Sequence, residues 1–367
     1  MAIGPTQFTT SDVQVVKRWS ERLYADVISD ETLVGQARKD GSLVLLEELS
    51  KGPGDNVKYH LNARISDKGL IGDQSANGVT KALVYYQTQL SINELRMPVE
   101  IPNTKTISAQ RVTFNMPEDA YARTRDWMIE RMTVGFLWQA AGFTSTSFTY
   151  DGETYTSADY VQLLGMNTPT APTSTRIVRP NSLTTDQAVN SDTTATMKFV
   201  HIDEAVSGAM KNRPYILPLS GIGAIKFKVY VHIDGFRQLI QDTSAPVQYR
   251  DIMLNKIASG VNDAELIGET MQYNNCLIIA TDKIPNGVHS STGAVQTNVR
   301  RAVLVGAGAV GMAFGQGFAG ATGMSFAQDE TDIQKWKRIA AVSLFGQSKA
   351  VFNSIDYATT VISHYVA

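Results

Sequence analysis

The residues most suggestive of chemistry are Val303-Leu304-Val305-Gly306-Ala307-Gly308-Ala309-Val310-Gly311. An apolar run leading into Gly306, Gly308 and Gly311 matches GxGxxG, in which glycines let a dinucleotide pyrophosphate approach the N-terminus of a helix. Asp329 follows at about the 20-residue spacing expected of a ribose-binding acid. The chemistry would be hydride transfer by an NAD-dependent oxidoreductase. Three features oppose it. Too few residues follow Gly311 for the remaining strands and helices of a doubly wound sheet. The helix that should begin there is interrupted by Gly315, Gly317 and Gly320. No well-formed crossover helix precedes the apolar strand Trp336–Phe345. The segment therefore reads as a tightly packed, glycine-rich strand-to-helix turn without a cofactor.

Other catalytic patterns are weaker. His60, His201, His232, His289 and His364 are scattered, and none forms HExxH or a close pair. Asp329, Glu330 and Asp332 could hold Ca²⁺, but a solvated acidic loop explains them as well. Glu47-Glu48 and Asp203-Glu204 are sequence neighbours whose carboxylates diverge. There is no GxSxG elbow. The single cysteine, Cys276, lies in the apolar run Cys276-Leu277-Ile278-Ile279-Ala280, which predicts a buried, inert thiol and excludes an internal disulfide or a multi-cysteine zinc site. Arg300-Arg301 and the group Lys335, Lys337 and Arg338 are too small for sequence-specific DNA recognition. No catalytic, cofactor-binding or metal-binding residues are assigned.

Composition narrows the class further. The 367 residues are 43% hydrophobic and 19% charged, with a net charge of −2, enough for one large or two ordinary domains. The balance argues against a dedicated nucleic-acid binder. MAIGPTQFTT shows no basic region followed by an apolar run, and no apolar stretch approaches the ~20 residues that span a bilayer. A soluble chain made in a cytoplasm is expected.

The element that positions everything else is Asn115–Gly142, which predicts a helix of about 25 residues, about 40 Å long. Asn115 can cap, Pro117 suits the first turn, Glu118 stands three residues past the cap, and Gly142 supplies a left-handed stop. Arg123, Arg125, Asp126, Glu130 and Arg131 give a wet first half. Phe136, Leu137, Trp138, Ala140 and Ala141 predict a second half buried on nearly all sides.

Before this spine, residues 1–10 read as a loose arm, and a helix is expected from Ser11 through Val16, Trp19, Leu23 and Val27. Leu43–Leu46 is a short apolar segment, followed by the breaker Gly52-Pro53-Gly54. Val57–Leu61 and Val84–Ile92 alternate like two strands of a long hairpin, joined through the glycine-rich Gly69–Gly78. A hairpin carrying Leu83, Tyr85 and Tyr86 cannot bury both faces alone and needs a neighbour. Met97-Pro98 and Ile101-Pro102 read as a connector. After the spine, residues 143–198 read mostly as surface loop, then a helix over Phe199–Met210. From Pro214 a compact α/β unit is expected. It comprises a half-buried strand over Ile225–Ile233, a short helix capped by Asp234, and a helix carrying Tyr249, Ile252, Met253 and Ile257. Strands at 276–280, 299–305, 336–345 and 349–355 follow, with a last one near 359–366.

The order of these parts resembles the major capsid proteins of tailed bacteriophages, podovirus-type, with the Hong-Kong-97-type fold. The resemblance rests on Glu48-Leu49-Ser50-Lys51-Gly52-Pro53-Gly54-Asp55, Gly69-Leu70-Ile71-Gly72-Asp73, Ile92-Asn93-Glu94-Leu95-Arg96-Met97-Pro98-Val99, Gln110-Arg111 and Lys226–Leu239. It rests also on Arg301-Ala302-Val303-Leu304-Val305-Gly306-Ala307-Gly308-Ala309 and Phe345-Gly346-Gln347-Ser348-Lys349-Ala350-Val351-Phe352-Asn353. It implies an α+β fold with an N-terminal arm region over 1–50, an extended hairpin loop over 51–104 and a peripheral domain over 105–213 with a spine helix at 116–141. An axial domain over 214–330 and C-terminal strands over 331–367 returning to the peripheral domain complete it.

By the same resemblance the chain is expected to be the subunit of an icosahedral shell around double-stranded DNA, and not an enzyme. Its expected partners are itself, as hexamers and pentamers, a separate scaffolding protein, a portal, a decoration protein, and packaged DNA contacted non-specifically, with no membrane. Structured sequence beginning near Met1 is what points to a separate scaffold. Assembly is expected in the host cytoplasm. Lys58, Lys68 and Lys81 lie in the loop region, but nothing identifies an asparagine partner for a crosslink. A nanocompartment shell of the same fold is the alternative.

Overall fold

The computed structural model describes residues 29, 32–46, 56–62, 68–72, 75, 85–103, 106–111, 115–156, 159–220, 225–243, 270–315 and 324–366. The helix expected from Ser11, the pair Glu47-Glu48, the Gly52–Gly54 breaker, Lys81, Leu83, much of the hairpin tip and the helix around Tyr249–Ile257 lie outside the described residues.

In chain order the first strands are β1 (Leu43–Leu46), β2 (Asn56–Asn62), β3 (Tyr85–Ser91), β4 (Asn93–Pro102), β5 (Phe148–Tyr150) and β6 (Glu153–Tyr155). Next come β7 (Ile177–Val178), β8 (Phe227–Val231), β9 (Thr270–Tyr273), β10 (Cys276–Ala280), β11 (Asn286–Val288) and β12 (Val295–Val305). The last are β13 (Val310–Phe314), β14 (Met324–Thr331), β15 (Trp336–Lys349), β16 (Val351–Phe352), β17 (Ile355–Asp356) and β18 (Thr359–Tyr365).

Two sheets result. The first is built on β15. Its Trp336–Phe345 segment pairs antiparallel with β4, while β14 and β13 pair end to end along its opposite side, and β1 adds in parallel to β13. The second runs β7-β18-β12-β8-β10-β9, with β11 against β12. Parallel β8–β10 and β7–β18 pairings beside antiparallel β12–β18, β12–β8 and β9–β10 make it mixed, and the whole is α+β as expected.

The spine helix, Met116–Ala141, packs against β15 and β4 of the first sheet and β12 and β18 of the second. Its two halves differ as the composition predicts. Early on, only Ala120, Tyr121, Thr124, Met128 and Met132 are buried. From Thr133 to Ala141 every residue is buried, two and a half turns with no solvent face. Thr124 and Thr133 are tolerated inside because their hydroxyls donate to Ala120 O (2.7 Å) and Ile129 O (2.9 Å), one turn back. Gly142 ends the helix at φ 62°, ψ 52°. At the other end Asn115 makes no side-chain bond to the helix backbone; its amide donates instead to the Glu118 carboxylate at 3.2 Å, so the expected side-chain cap does not form.

Four sequence expectations are corrected. Residues 93–102 are a full strand, not a connector. Asn103 N–H donates to Lys335 O at 3.0 Å, so odd-numbered positions of β4 face β15 and even-numbered ones face outward. Pro98 and Pro102 thus fall where no ladder donor is lost, and they blunt an open edge. β8 is buried on both faces, because Lys228 finds Asp40 as an ion-pair partner and Tyr230 packs edge-on to Phe136. His232, whose ring accepts from Asp234 N–H at 3.3 Å, caps the helix Ile233–Gln241 in place of Asp234. The segments 336–345 and 349–355 are one 14-residue strand followed by the small β16–β17 hairpin. Gly346 does not break it. A side chain there would meet Ser91 O at 2.1 Å, so the glycine marks a close crossing of strands.

Candidate assembly interface

The glycine-rich segment is a strand-to-strand turn. Val305 ends β12 in the second sheet and Val310 begins β13 in the first, so Gly306–Ala309 carries the chain between sheets; Gly311 lies within β13, so the turn opens onto a strand. The N–H groups that would cradle a phosphate are used internally. Gly306 donates to Ala358 O (2.9 Å), Ala307 to Leu217 O (3.0 Å) and Gly308 to Gly41 O (2.8 Å). A Cβ at Gly306 would lie 2.2 Å from Ile216 Cγ2. Close packing, not ligand approach, requires the glycine. Asp329 lies on β14, opposite Arg338 of β15.

The other candidates also resolve into structure. Asp329 and Glu330 stand across from Arg338 and Lys337, and Asp332 is 3.8 Å from Lys335, so this acidic group is matched by cations within its own hairpin. Asp203 accepts from Tyr273 Oη (2.9 Å) and Asn274 Nδ2 (2.8 Å). Cys276 is fully buried, and burial pushes its thiol up to about 12, which makes it inert. His289 accepts from Ser291 and Thr292 N–H groups in an exposed turn. His364 is fully buried and its pKa falls to about 3, while His201, near-buried, falls to about 4; burial is the main cause in both. Among the described residues no group of three or more His, Cys, Asp or Glu could hold a metal ion, and no helix is long and apolar enough to cross a membrane.

Buried ion pairs fasten the elements into one body. Asp186 accepts from Arg179 Nε (2.9 Å) and from Arg301 Nε (2.8 Å), and Arg301 Nη1 donates to Gly142 O (2.7 Å) at the end of the spine. Burial alone would raise the Asp186 pKa, but the two guanidiniums hold it below the usual carboxylate range. Lys349 and Asp356, both buried, pair at 2.8 Å; Lys349 also donates to Thr170 O and Asp356 accepts from Thr173 N–H. Arg176, fully buried, donates to the carbonyls of Gly208, Asn212 and Pro214 around the end of the helix Phe199–Lys211. The segment 143–198, expected as surface loop, is in this way tied into the core.

Sequence reasoning missed these residues. Arg179 lies near Asp186, but Arg301 is 115 residues away, and no local signal connects them. Arg301, noted in the sequence only as half of a small basic doublet, is buried.

The surface offers material for contacts. β2 and β3 form the expected antiparallel hairpin, Asn56 opposite Ser91 and Asn62 opposite Tyr85. At its root, Val57 and Leu90 make a small core of their own with Ala313 and Ile92. Asn167 clamps the root, accepting from Ser91 N–H and donating to Ser91 O, both at 2.9 Å. Farther out Lys58, Gln87 and Gln89 are exposed, as are Lys68, Leu70 and Ile71 near the tip. Large exposed apolar residues also occur at Ile107, Val200, Met210, Tyr215, Leu217, Ile233, Ile240 and Ile333.

Comparisons with known proteins agree with this arrangement. A family model described as phage capsid protein matches residues 7–367. The fold is similar to the capsid of Ralstonia phage GP4, at 18% identity and a TM-score of 0.71 over 99% of this chain and 96% of that one. It is similar to the capsid of cyanophage Pam1, at 15% identity and a TM-score of 0.64 over 100% and 96%. It is also similar to the head of Helicobacter pylori bacteriophage KHP40, at 13% identity and a TM-score of 0.56 over 100% and 95%. No curated protein matches.

Proposed function

The chain belongs to the phage capsid protein family, matched over residues 7–367, and from that premise we propose how its parts build a shell. It is a major capsid protein of a tailed phage with the Hong-Kong-97-like fold, a subunit that associates with copies of itself in the capsid of the virion.

In the proposed division, residues 1–50 are an arm, 51–104 an extended loop laid over a neighbour, and 105–213 a peripheral domain on the spine helix. Residues 214–330 form an axial domain, and 331–367 return to the peripheral domain. The observation that carries the loop assignment is the β2–β3 hairpin, which packs on its own subunit at the root and offers exposed residues beyond it. Two paired strands with one small root cluster do not bury enough to be independently stable, so a neighbour's surface completes them. Many such contacts in a closed shell make modest interfaces collectively strong.

The subunits form hexamers and pentamers, with a separate scaffolding protein during assembly in the host cytoplasm, a portal at one vertex and a decoration protein outside. Packaged DNA is touched non-specifically, in keeping with a net charge of only −2. No enzymatic activity is assigned. The fingerprint that suggested one is a strand-to-strand turn whose N–H groups are occupied, and saturating nicotinamide cofactor is expected to leave the melting temperature unchanged.

Expression with its scaffold and electron microscopy of the products tests the reading. Hexamers, pentamers or closed shells are expected; monomers alone would overturn it. Terminase and portal genes beside this one, as against a gene for a cargo enzyme, separate a virion from a nanocompartment.

A further inference from the structure

Three of the five histidines meet the first turns of two helices. His232 caps the helix Ile233–Gln241, its Nδ1 accepting from Asp234 N–H at 3.3 Å. His201 stands in the first turn of Phe199–Lys211, where its Nδ1 accepts from Lys198 N–H at 3.2 Å. His364, on β18, lies against Gly235 in the first turn of Ile233–Gln241, where a Cβ would come within 2.5 Å of its Nε2. His364 Nδ1 is 3.5 Å from Ile362 O, so the ring hydrogen belongs on that side and Nε2 carries the lone pair. The ring is fully buried, and Nε2 has no hydrogen-bond partner among the described residues. Two acceptors and one bare lone pair are thus set against helix N-termini, the positive ends of helix dipoles. A proton on either acceptor removes a cap, and a proton on Nε2 puts a buried charge against a helix end that repels it.

The neighbouring charges add to this. The groups that face His364 are His232, His201 and Arg300, the last its partner across the β12–β18 ladder, and all three are cationic when charged. His201 faces Lys198 and Asp242, and His232 faces Arg300, Asp234 and Asp282. Burial is the main cause that holds all three rings neutral. Once one ring is protonated, the next proton meets a like charge, which makes release cooperative. The remaining fastening of the same helix does not titrate: Gln238 Nε2 donates to Tyr365 O at 2.9 Å, and its Oε1 accepts from Met197 N–H at 2.8 Å.

We propose that His364, His232 and His201 form an acid-released lock: while neutral they hold the helix Ile233–Gln241 against β18, and acid frees that helix before the rest of the subunit unfolds. The lock is a property of the single subunit and does not depend on shell formation. Its sign follows from the neutral rings. An opened helix, with its imidazoles in water, binds protons that the closed one does not, so the lock is complete above about pH 6.5 and weakens as pH falls. With a closed-state value of about 3, exposing His364 alone multiplies the opening constant about twentyfold between pH 7 and pH 5.

Hydrogen exchange of the full-length free subunit at pH 7 and pH 5, corrected for the intrinsic pH dependence of exchange, tests the lock. Amides of 233–241 are expected to open about twentyfold more often at pH 5. At that pH they should also exchange at least about tenfold faster than those of the buried spine segment 133–141, the mark of local release. His364→Asn is expected to remove most of the pH dependence. His232→Asn keeps a side-chain oxygen for the cap and is the milder variant. It should preserve protection at pH 7 and reduce the rise at pH 5, so the test stands even if His364→Asn does not fold. A wild-type opening constant that is flat between pH 7 and pH 5 would overturn the proposal. So would exchange of 233–241 no faster than that of the spine at pH 5, or an undiminished rise in the folded variants.

Discussion

Replacing Trp138 with alanine probes the buried end of the spine helix directly. The indole is 6% exposed and its ring centroid lies 4.6, 5.2 and 5.5 Å from those of Phe143, Phe148 and Tyr150. Its Nε1–H donates to Lys283 O at 2.9 Å. Truncating a buried Trp or Phe to alanine costs about 3–5 kcal/mol through lost transfer energy and the cavity left behind. Leaving the Lys283 carbonyl without its donor adds about 1 kcal/mol. The expected loss is about 4–6 kcal/mol, a large part of the ~5–15 kcal/mol that stabilises a typical native protein. Trp138→Phe keeps most of the ring contact and loses only the donor and some volume, about 1–2 kcal/mol. Arg125→Ala, on the wet half beside Asp126, is expected to stay within ~0.5 kcal/mol. Urea denaturation of unassembled subunits, followed by far-ultraviolet circular dichroism, gives the three values. Equal midpoints for Trp138→Ala and Arg125→Ala would refute the division of the helix into a wet half and a buried half.

Other consequences follow from buried groups. Asp186→Asn leaves Arg179 and Arg301 without their shared carboxylate and should cost about 3–5 kcal/mol, measured the same way. Acid should weaken the subunit before carboxylates titrate. The folded-state values of His364 and His201, about 3 and about 4, lie below the ordinary 6.5, so the unfolded chain binds protons first. Their contribution is complete above about pH 6.5 and declines as pH falls, by roughly 2–3 kcal/mol at pH 4.5 for His364 alone. His364→Asn should flatten the midpoint-versus-pH curve between 6.5 and 4.5, and an unchanged slope would remove His364 from the account. Gly306→Ala should reduce soluble yield sharply, since its methyl would meet Ile216 Cγ2 and Leu217 O, the latter at 2.7 Å and on a backbone that cannot rotate away.

What could be read from the amino-acid order was local. Pro117 in the first turn, Gly142 at the end and the contrast between Arg125 and Trp138 define the spine without any tertiary information. Alternation shows the β2–β3 hairpin, and strands are also legible at 276–280, 299–305 and near 359–366, where β10, β12 and β18 lie. The misreadings share one cause, which is that tertiary partners reverse local rules. Pro98 disguises β4 until β15 is known to lie on its other side. Lys228 suggests a solvent face in β8 because Asp40, its partner, is far away in sequence. Gly346 resembles a breaker because the crossing strand that requires it, at Ser91, is equally remote. The glycine pattern at 306–311 satisfies a nucleotide fingerprint because both a phosphate and a neighbouring backbone demand the absence of a Cβ. Spacing cannot distinguish the two; the occupied N–H groups can. The Asp186 network was invisible for the related reason that its partners come from separate parts of the chain.

The most direct test is electron cryo-microscopy of particles formed by this chain, co-expressed with the proposed scaffolding protein, at a resolution that traces the main chain. Closed shells in which the 51–104 hairpin leaves its root at Asn167 and lies across an adjacent subunit are the predicted result. Shells in which that hairpin folds back wholly onto its own subunit would contradict the loop assignment, and an absence of shells would contradict the account as a whole.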